Sequence, residues 1–115
     1  MRKDDITRLN HMLDAAKEIE DMSSDISRSD LDDDRKLSLA LVRLLEILGE
    51  AASNTSKETQ IGYPEIPWKY IVGMRNRLIH GYFDIDLNIV WSTINNDIPP
   101  LIPKLKKVIR EKEDG

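Results

Sequence analysis

The chain has 115 residues, 40% of them hydrophobic and 33% charged, and a net charge of −4. This length suits one domain, residues 1–115, with a modest core, and the composition excludes a disordered chain and a membrane-spanning one, for which about 20 consecutive apolar residues are needed. Without cysteine there are no disulfides and no thiolate metal sites, and the polar start "MRKDDITRLN" does not read as a signal peptide, so the expected compartment is the cytoplasm.

In chain order, residues 5–22 place Ile6, Leu9, Leu13, Ala16, Ile19 and Met22 at three- and four-residue spacings, which predicts an amphipathic helix. Residues 23–30 break it. A second helix is predicted from about residue 31 or 34 to 53, with the acidic run "DLDDD" at its start, where the helix dipole favours carboxylates. Leu37, Leu41, Leu44, Leu48 and Ala51 make one apolar stripe on it, and Val42, Leu45 and Ala52 a second. A helix apolar on two sides must be covered on both, by its own domain or by a partner chain.

"NTSKETQIGYPEIP" reads as the longest irregular segment. Pro67 suits the first turn of a third helix, whose buried stripe is Ile71, Met74 and Leu78, and Gly81 sits where a left-handed cap residue ends a helix. "DIDLNIVWSTINND" predicts a short fourth helix with Leu87, Val90, Trp91 and Ile94 inward. A fifth opens at Asp97 and the following prolines and runs to about residue 111, with a late start or kink expected at Pro103. No alternating pattern is long enough for a strand pair. The expected fold is all-α, a bundle of four or five helices.

The acidity is concentrated in the first sixty residues, which argues against a broad nucleic-acid-binding surface and against DNA as a partner. A local basic site is still present. "MRNRLIHGYF" puts Arg75, Asn76, Arg77, His80 and Tyr82 within eight positions. Cleaving RNA without a metal requires one group to take the 2′-hydroxyl proton, one to protonate the leaving oxygen, and a cation beside the phosphorane. His80 can serve either proton step at neutral pH. Arg75 supplies a permanent forked cation, with Asn76 and Arg77 as supporting polar groups.

On a continuous helix, residues 75 and 80 are about 140° apart, so the two side chains converge only if the helix ends near residues 78–80 or if two chains pair. An arginine and a histidine at a helix end also commonly serve as capping and solvent-facing groups. Tyr82 by itself reads as a packing aromatic, and Trp68 and Trp91 as core anchors. His11 with Asp14, and the Glu46–Glu50 pair, are weaker candidates. A di-metal bundle needs Glu-x-x-His motifs, and the sequence contains none.

The segments "RLLEILGEAAS", "YPEIPWKYIVGMRNRLIHGYFDID" and "VWSTINNDIPPL", in order from about residue 43 to 101, resemble the HepT-like branch of the HEPN superfamily. The most specific part is Arg-x4-His-x-Tyr, here Arg75, His80 and Tyr82, with Asn76 directly after the arginine. The resemblance implies an all-α homodimer acting as a metal-independent endoribonuclease on tRNA or mRNA, the toxin of a type VII toxin–antitoxin pair, with no cofactor. It implies that the Arg and His motifs of two chains line one cleft. It also implies a minimal nucleotidyltransferase antitoxin, MntA-like, that transfers AMP from ATP to Tyr82. The alternative is a non-catalytic, nucleotide-binding helical module that partners a nucleotidyltransferase.

Overall fold

The computed structural model describes residues 3–80 and 84–114, with Lys3 and His80 described by their backbone only. Three long helices form its frame: α1 (Lys3–Ser23), α3 (Arg35–Asn54) and α8 (Ile98–Asp114). Five short ones connect them: α2 (Arg28–Asp33), α4 (Lys57–Gly62), α5 (Trp68–Val72), α6 (Met74–Leu78) and α7 (Leu87–Ser92). The all-α bundle expected from periodicity is what the chain forms. Among the described residues no helix is long and apolar enough to cross a membrane.

α1 packs on α3 along one side and on α8 along the other. Leu9, Met12, Ala16 and Ile19 meet Leu41, Leu45, Leu48, Leu105 and Val108 in one core, each of these fully or almost fully removed from solvent. α1 packs against α3, as do α5, α6 and α7, and the stripe of Val42, Leu45 and Ala52 is buried, whereas Leu37 and Leu44 of the other stripe are only half-buried. Leu41, Val42, Leu45, Leu48, Ala51 and Ala52 are all buried. Most of the two-sided helix is thus covered from within the chain, with Leu37 and Leu44 left half-exposed. Gly49 brings α5 against α3, since a Cβ there would lie 3.1 Å from the Ile71 carbonyl oxygen.

Several boundaries differ from the sequence expectations, each for a local reason. The acidic run is shared between two helices. The Asp30 carboxylate accepts from the Ser27 N–H at the start of α2, and that of Asp34 accepts from the Leu37 N–H to cap α3. The segment read as irregular contains α4, capped by the Ser56 hydroxyl, which accepts from the Thr59 N–H. Pro67 precedes the third helix as its cap residue, and that helix is broken at Gly73 into α5 and α6. α6 stops at Leu78. A two-residue antiparallel pair follows, β1 (Ile79–His80) with β2 (Asp84–Ile85), in the register Ile79 to Ile85 and His80 to Asp84. So short a pair has no periodicity for a sequence pattern to show. Gly81, expected as a helix cap, lies outside the described residues.

The fourth and fifth helices are joined through a π-helical turn, Thr93–Asp97. Pro99 and Pro100 have no N–H for a helical bond, and their rings crowd the carbonyls one turn back. A wider turn just upstream relieves that crowding, and the Ile98 N–H reaches back to the Thr93 carbonyl. The Asn95 side-chain amide donates to the Trp91 carbonyl at 2.8 Å. The prolines thus widen the helix without ending it, and Pro103 lies inside α8.

Candidate active site

α6 has five residues, too few to hold a helical conformation by itself. Met74 and Leu78, one turn apart, are buried in the core and hold its inner side. Arg75 is on an outer side. Its side chain is 65% exposed, and its Nε donates to Oε2 of Glu46 on α3 at 3.1 Å. Beside the pair is a surface hollow of about 170 Å³, bordered by Gly49, Glu50, Ser53 and Val72. Glu50 in turn faces Arg43 at 3.5 Å. The two carboxylates weighed as a metal pair therefore each face an arginine. Among the described residues no three His, Cys, Asp or Glu side chains gather as a metal ion would require.

Arg77 turns the other way. About 200° separates residues two apart on a helix, and its guanidinium lies over the Tyr70 ring, 3.7 Å from the centroid. Its Nη2 donates to the Tyr70 carbonyl at 2.6 Å. The Tyr70 hydroxyl donates to Oδ2 of Asp97 at 2.5 Å. Burial raises the Tyr70 pKa, and the bond to the Asp97 carboxylate raises it further. Arg77 is thus engaged away from the Arg75–Glu46 pair. Asn76 is exposed between them.

Because α6 ends at Leu78, the 140° separation of a continuous helix does not apply to Arg75 and His80. His80 follows in β1, with Asp84 at the register position opposite it. The His80 side chain and all of Tyr82 lie outside what the structure describes. Of the weaker candidates, His11 is exposed on α1 beside a hollow with Asp4, Arg8 and Glu50. Trp68 is buried and donates its Nε1–H to the Tyr63 carbonyl at 3.0 Å, while Trp91 is half-buried against the core. Sequence reasoning missed Glu46 as the partner of Arg75, and also missed Tyr70 and Asp97. Glu46 is 29 positions from Arg75 and Asp97 is 27 from Tyr70, and no local spacing marks either pair.

Fold and site define an all-α, HEPN-like bundle that holds a cationic motif at the end of a short internal helix. The model of the family described as "Ribonuclease HepT-like" matches residues 12–108. The chain belongs to that family, and ribonuclease is the enzyme class that goes with it. It is 38% identical over 100 residues to a protein of Thermococcus cleftensis named "Probable ribonuclease HepT", covering 87% of this chain and 91% of that one. It is also 38% identical over 105 residues to a protein of Caldanaerobacter subterraneus with a provisional RNase name, covering 91% and 94%. A similarly named protein of Methanocaldococcus jannaschii is 33% identical over 112 residues, covering 97% and 93%. No solved structure gave a significant match.

Proposed function

We propose that this chain is a metal-independent endoribonuclease in which Arg75 and His80 carry the chemistry. The 2′-oxygen of the substrate bonds to phosphorus, the bond to the 5′-oxygen breaks, and a 2′,3′-cyclic phosphate and a 5′-hydroxyl result. His80 moves a proton, taking it from the 2′-hydroxyl or giving it to the leaving oxygen. Arg75 binds the phosphate and stabilises the charge that builds on its equatorial oxygens. Asn76 assists orientation. The observation that carries this reading is the position of Arg75: exposed, on a helix that ends before His80, in a chain of the ribonuclease HepT-like family.

In the same proposal the active species is a homodimer whose two motifs share a cleft. The protein is the toxin of a type VII toxin–antitoxin pair. Its antitoxin is a minimal nucleotidyltransferase that joins the α-phosphorus of ATP to the Tyr82 hydroxyl oxygen and releases pyrophosphate. The added phosphate sets negative charge and bulk beside Arg75 and His80 and repels RNA.

The test is expression in a bacterial host, wild type against His80→Ala, with growth and total RNA integrity followed together. The wild type arrests growth and cuts RNA, also in extracts treated with EDTA. His80→Ala loses about 100-fold or more in cleavage at matched soluble levels. Tyr82→Phe still cuts RNA but escapes the nucleotidyltransferase. If wild type and His80→Ala are equally harmless and leave RNA whole, the ribonuclease assignment falls and nucleotide binding without cleavage takes its place.

A further inference from the structure

α6 has two sides that are not buried, and an arginine pins each of them to a different part of the bundle. Arg75 ties one side to Glu46 on α3. Arg77 ties the other to Tyr70 on α5, and Tyr70 is tied by its hydroxyl to the π-helical turn, where Asp97 accepts from it. The Tyr70 carbonyl that Arg77 caps is one of the last four of α5, which helix geometry leaves without an intrahelical donor. Between α5 and α6 the backbone turns at Gly73. A Cβ there would lie 3.3 Å from the Lys69 carbonyl and 3.6 Å from Nη1 of Arg77, so the guanidinium folds back closely over this elbow.

We propose that Tyr70, Arg77 and Asp97 are positioning residues, which set the direction of α6 and thereby where Arg75 and the strand bearing His80 face the substrate. Arg77 touches no RNA in this scheme. It acts through the elbow, with the Tyr70 ring as a flat seat for its guanidinium and the Asp97 carboxylate holding that ring in place. The inference rests on the ribonuclease reading above for its catalytic consequence, and on geometry alone for its structural one. The π turn has a part in it too, since it is the element that carries Asp97 to the Tyr70 hydroxyl.

Two measurements separate the failure of this inference from the failure of the ribonuclease reading. The first is amide exchange of the full chain, wild type against Arg77→Ala and Tyr70→Ala. Both variants speed exchange at residues 74–80 and leave α1 and α8 protected. Unchanged exchange at residues 74–80, or equal loss everywhere, overturns the inference whether or not the protein cuts RNA.

The second is cleavage of mixed tRNA at several salt concentrations. Arg77→Ala lowers kcat by about 10- to 100-fold, as misplacement of reacting groups does, and leaves KM within about twofold. The salt slope of binding keeps its wild-type value, whereas loss of a phosphate contact would reduce it by about 1. The Tyr70→Ala/Arg77→Ala double variant is no slower than either single one, because both act through one seat. Tyr70→Phe, which keeps the ring and loses the bond to Asp97, falls between wild type and Tyr70→Ala. A raised KM with a reduced salt slope makes Arg77 an RNA contact and overturns the inference. A wild type that cuts no tRNA or mRNA removes the catalytic role and the ribonuclease reading together, and the exchange experiment then decides the elbow by itself.

Discussion

Asp5 is 2% exposed, and a buried carboxylate persists only where hydrogen bonds replace its lost water. The Ser56 N–H and hydroxyl donate to it at 2.9 and 2.5 Å, and the Thr59 hydroxyl donates at 2.7 Å. Lys112 donates to the same Thr59 oxygen at 3.2 Å, so α8 joins this network through Thr59. Burial pushes the Asp5 pKa up, but the Ser56 and Thr59 bonds and the Lys112 charge outweigh it and hold the group below its ordinary value of 3.8. A depressed pKa contributes stability that is present above 3.8 and lost as pH falls through the lower native value. Urea denaturation should therefore show Asp5→Asn less stable than wild type at pH 7, with the difference shrinking below pH 3.8. At neutral pH the loss is about 2–4 kcal/mol, the range for a charged hydrogen-bond acceptor whose donors are left buried. An equal difference at pH 7 and pH 3 would show that the carboxylate's charge has no part in it. By contrast the Arg75–Glu46 pair, with Arg75 65% exposed, adds little to stability, and Glu46→Gln should change it by no more than about 1 kcal/mol.

At the scale of elements, what matters is how closely α5 and α6 approach α3. Gly49 sets that distance. Replacing it with valine puts branched carbon against a backbone carbonyl already 3.1 Å from the ideal Cβ position, so α5 must shift away from α3 to admit it. Gly49→Val should cost about 1–3 kcal/mol in thermal or urea unfolding. It should also lower RNA cleavage more than the stability loss explains, because α5 carries Tyr70 and leads into α6. Gly49→Val with wild-type stability would mean that α3 and α5 are not packed this tightly. A single helix over residues 67–80 would carry His80 about 140° away from Arg75, whereas the end of α6 at Leu78, between the two residues, lets the chain turn into β1.

For the whole molecule, the core is one cluster to which α1, α3 and α8 and the short helices α2, α5, α6 and α7 all contribute, in a body of 46 × 29 × 19 Å. A mutation at its centre should be felt globally. Leu45→Ala removes a fully buried side chain of α3, and the expected cost is about 2–5 kcal/mol, read from a lower urea midpoint with an unchanged slope. Against a total stability of about 5–15 kcal/mol for a domain this size, that change leaves the fold marginal. Most of both α3 stripes is buried inside one chain, so the apolar surface α3 leaves to the proposed dimer is Leu39 with the half-buried Leu37 and Leu44. Sedimentation of the protein at several concentrations, with and without Leu39→Asp, tests this: Leu39 is 43% exposed on α3, and a dimer built on that face would dissociate.

What the sequence determined by itself was the class of structure and the motif. Periodic leucines and isoleucines at three- and four-residue spacings place α1, α3 and α8, because burying one face of a helix needs only a local pattern. The order Arg75, Asn76, His80, Tyr82 is likewise written in the chain and points to phosphate chemistry without any fold. Short elements stayed hidden: α4, the elbow at Gly73, the β1–β2 pair and the π turn are each five or six residues or fewer. Over such lengths propensity is weak, and tertiary packing decides. The tertiary structure alone assigned Glu46 to Arg75, seated Arg77 on Tyr70, and showed that most of α3 is covered from within its own chain. The partner of Arg75 and the cover of α3 depend on contacts between residues far apart in sequence, which form only when the helices have closed on one core, while the seat of Arg77, seven residues from Tyr70, depends on the turn at Gly73 between them.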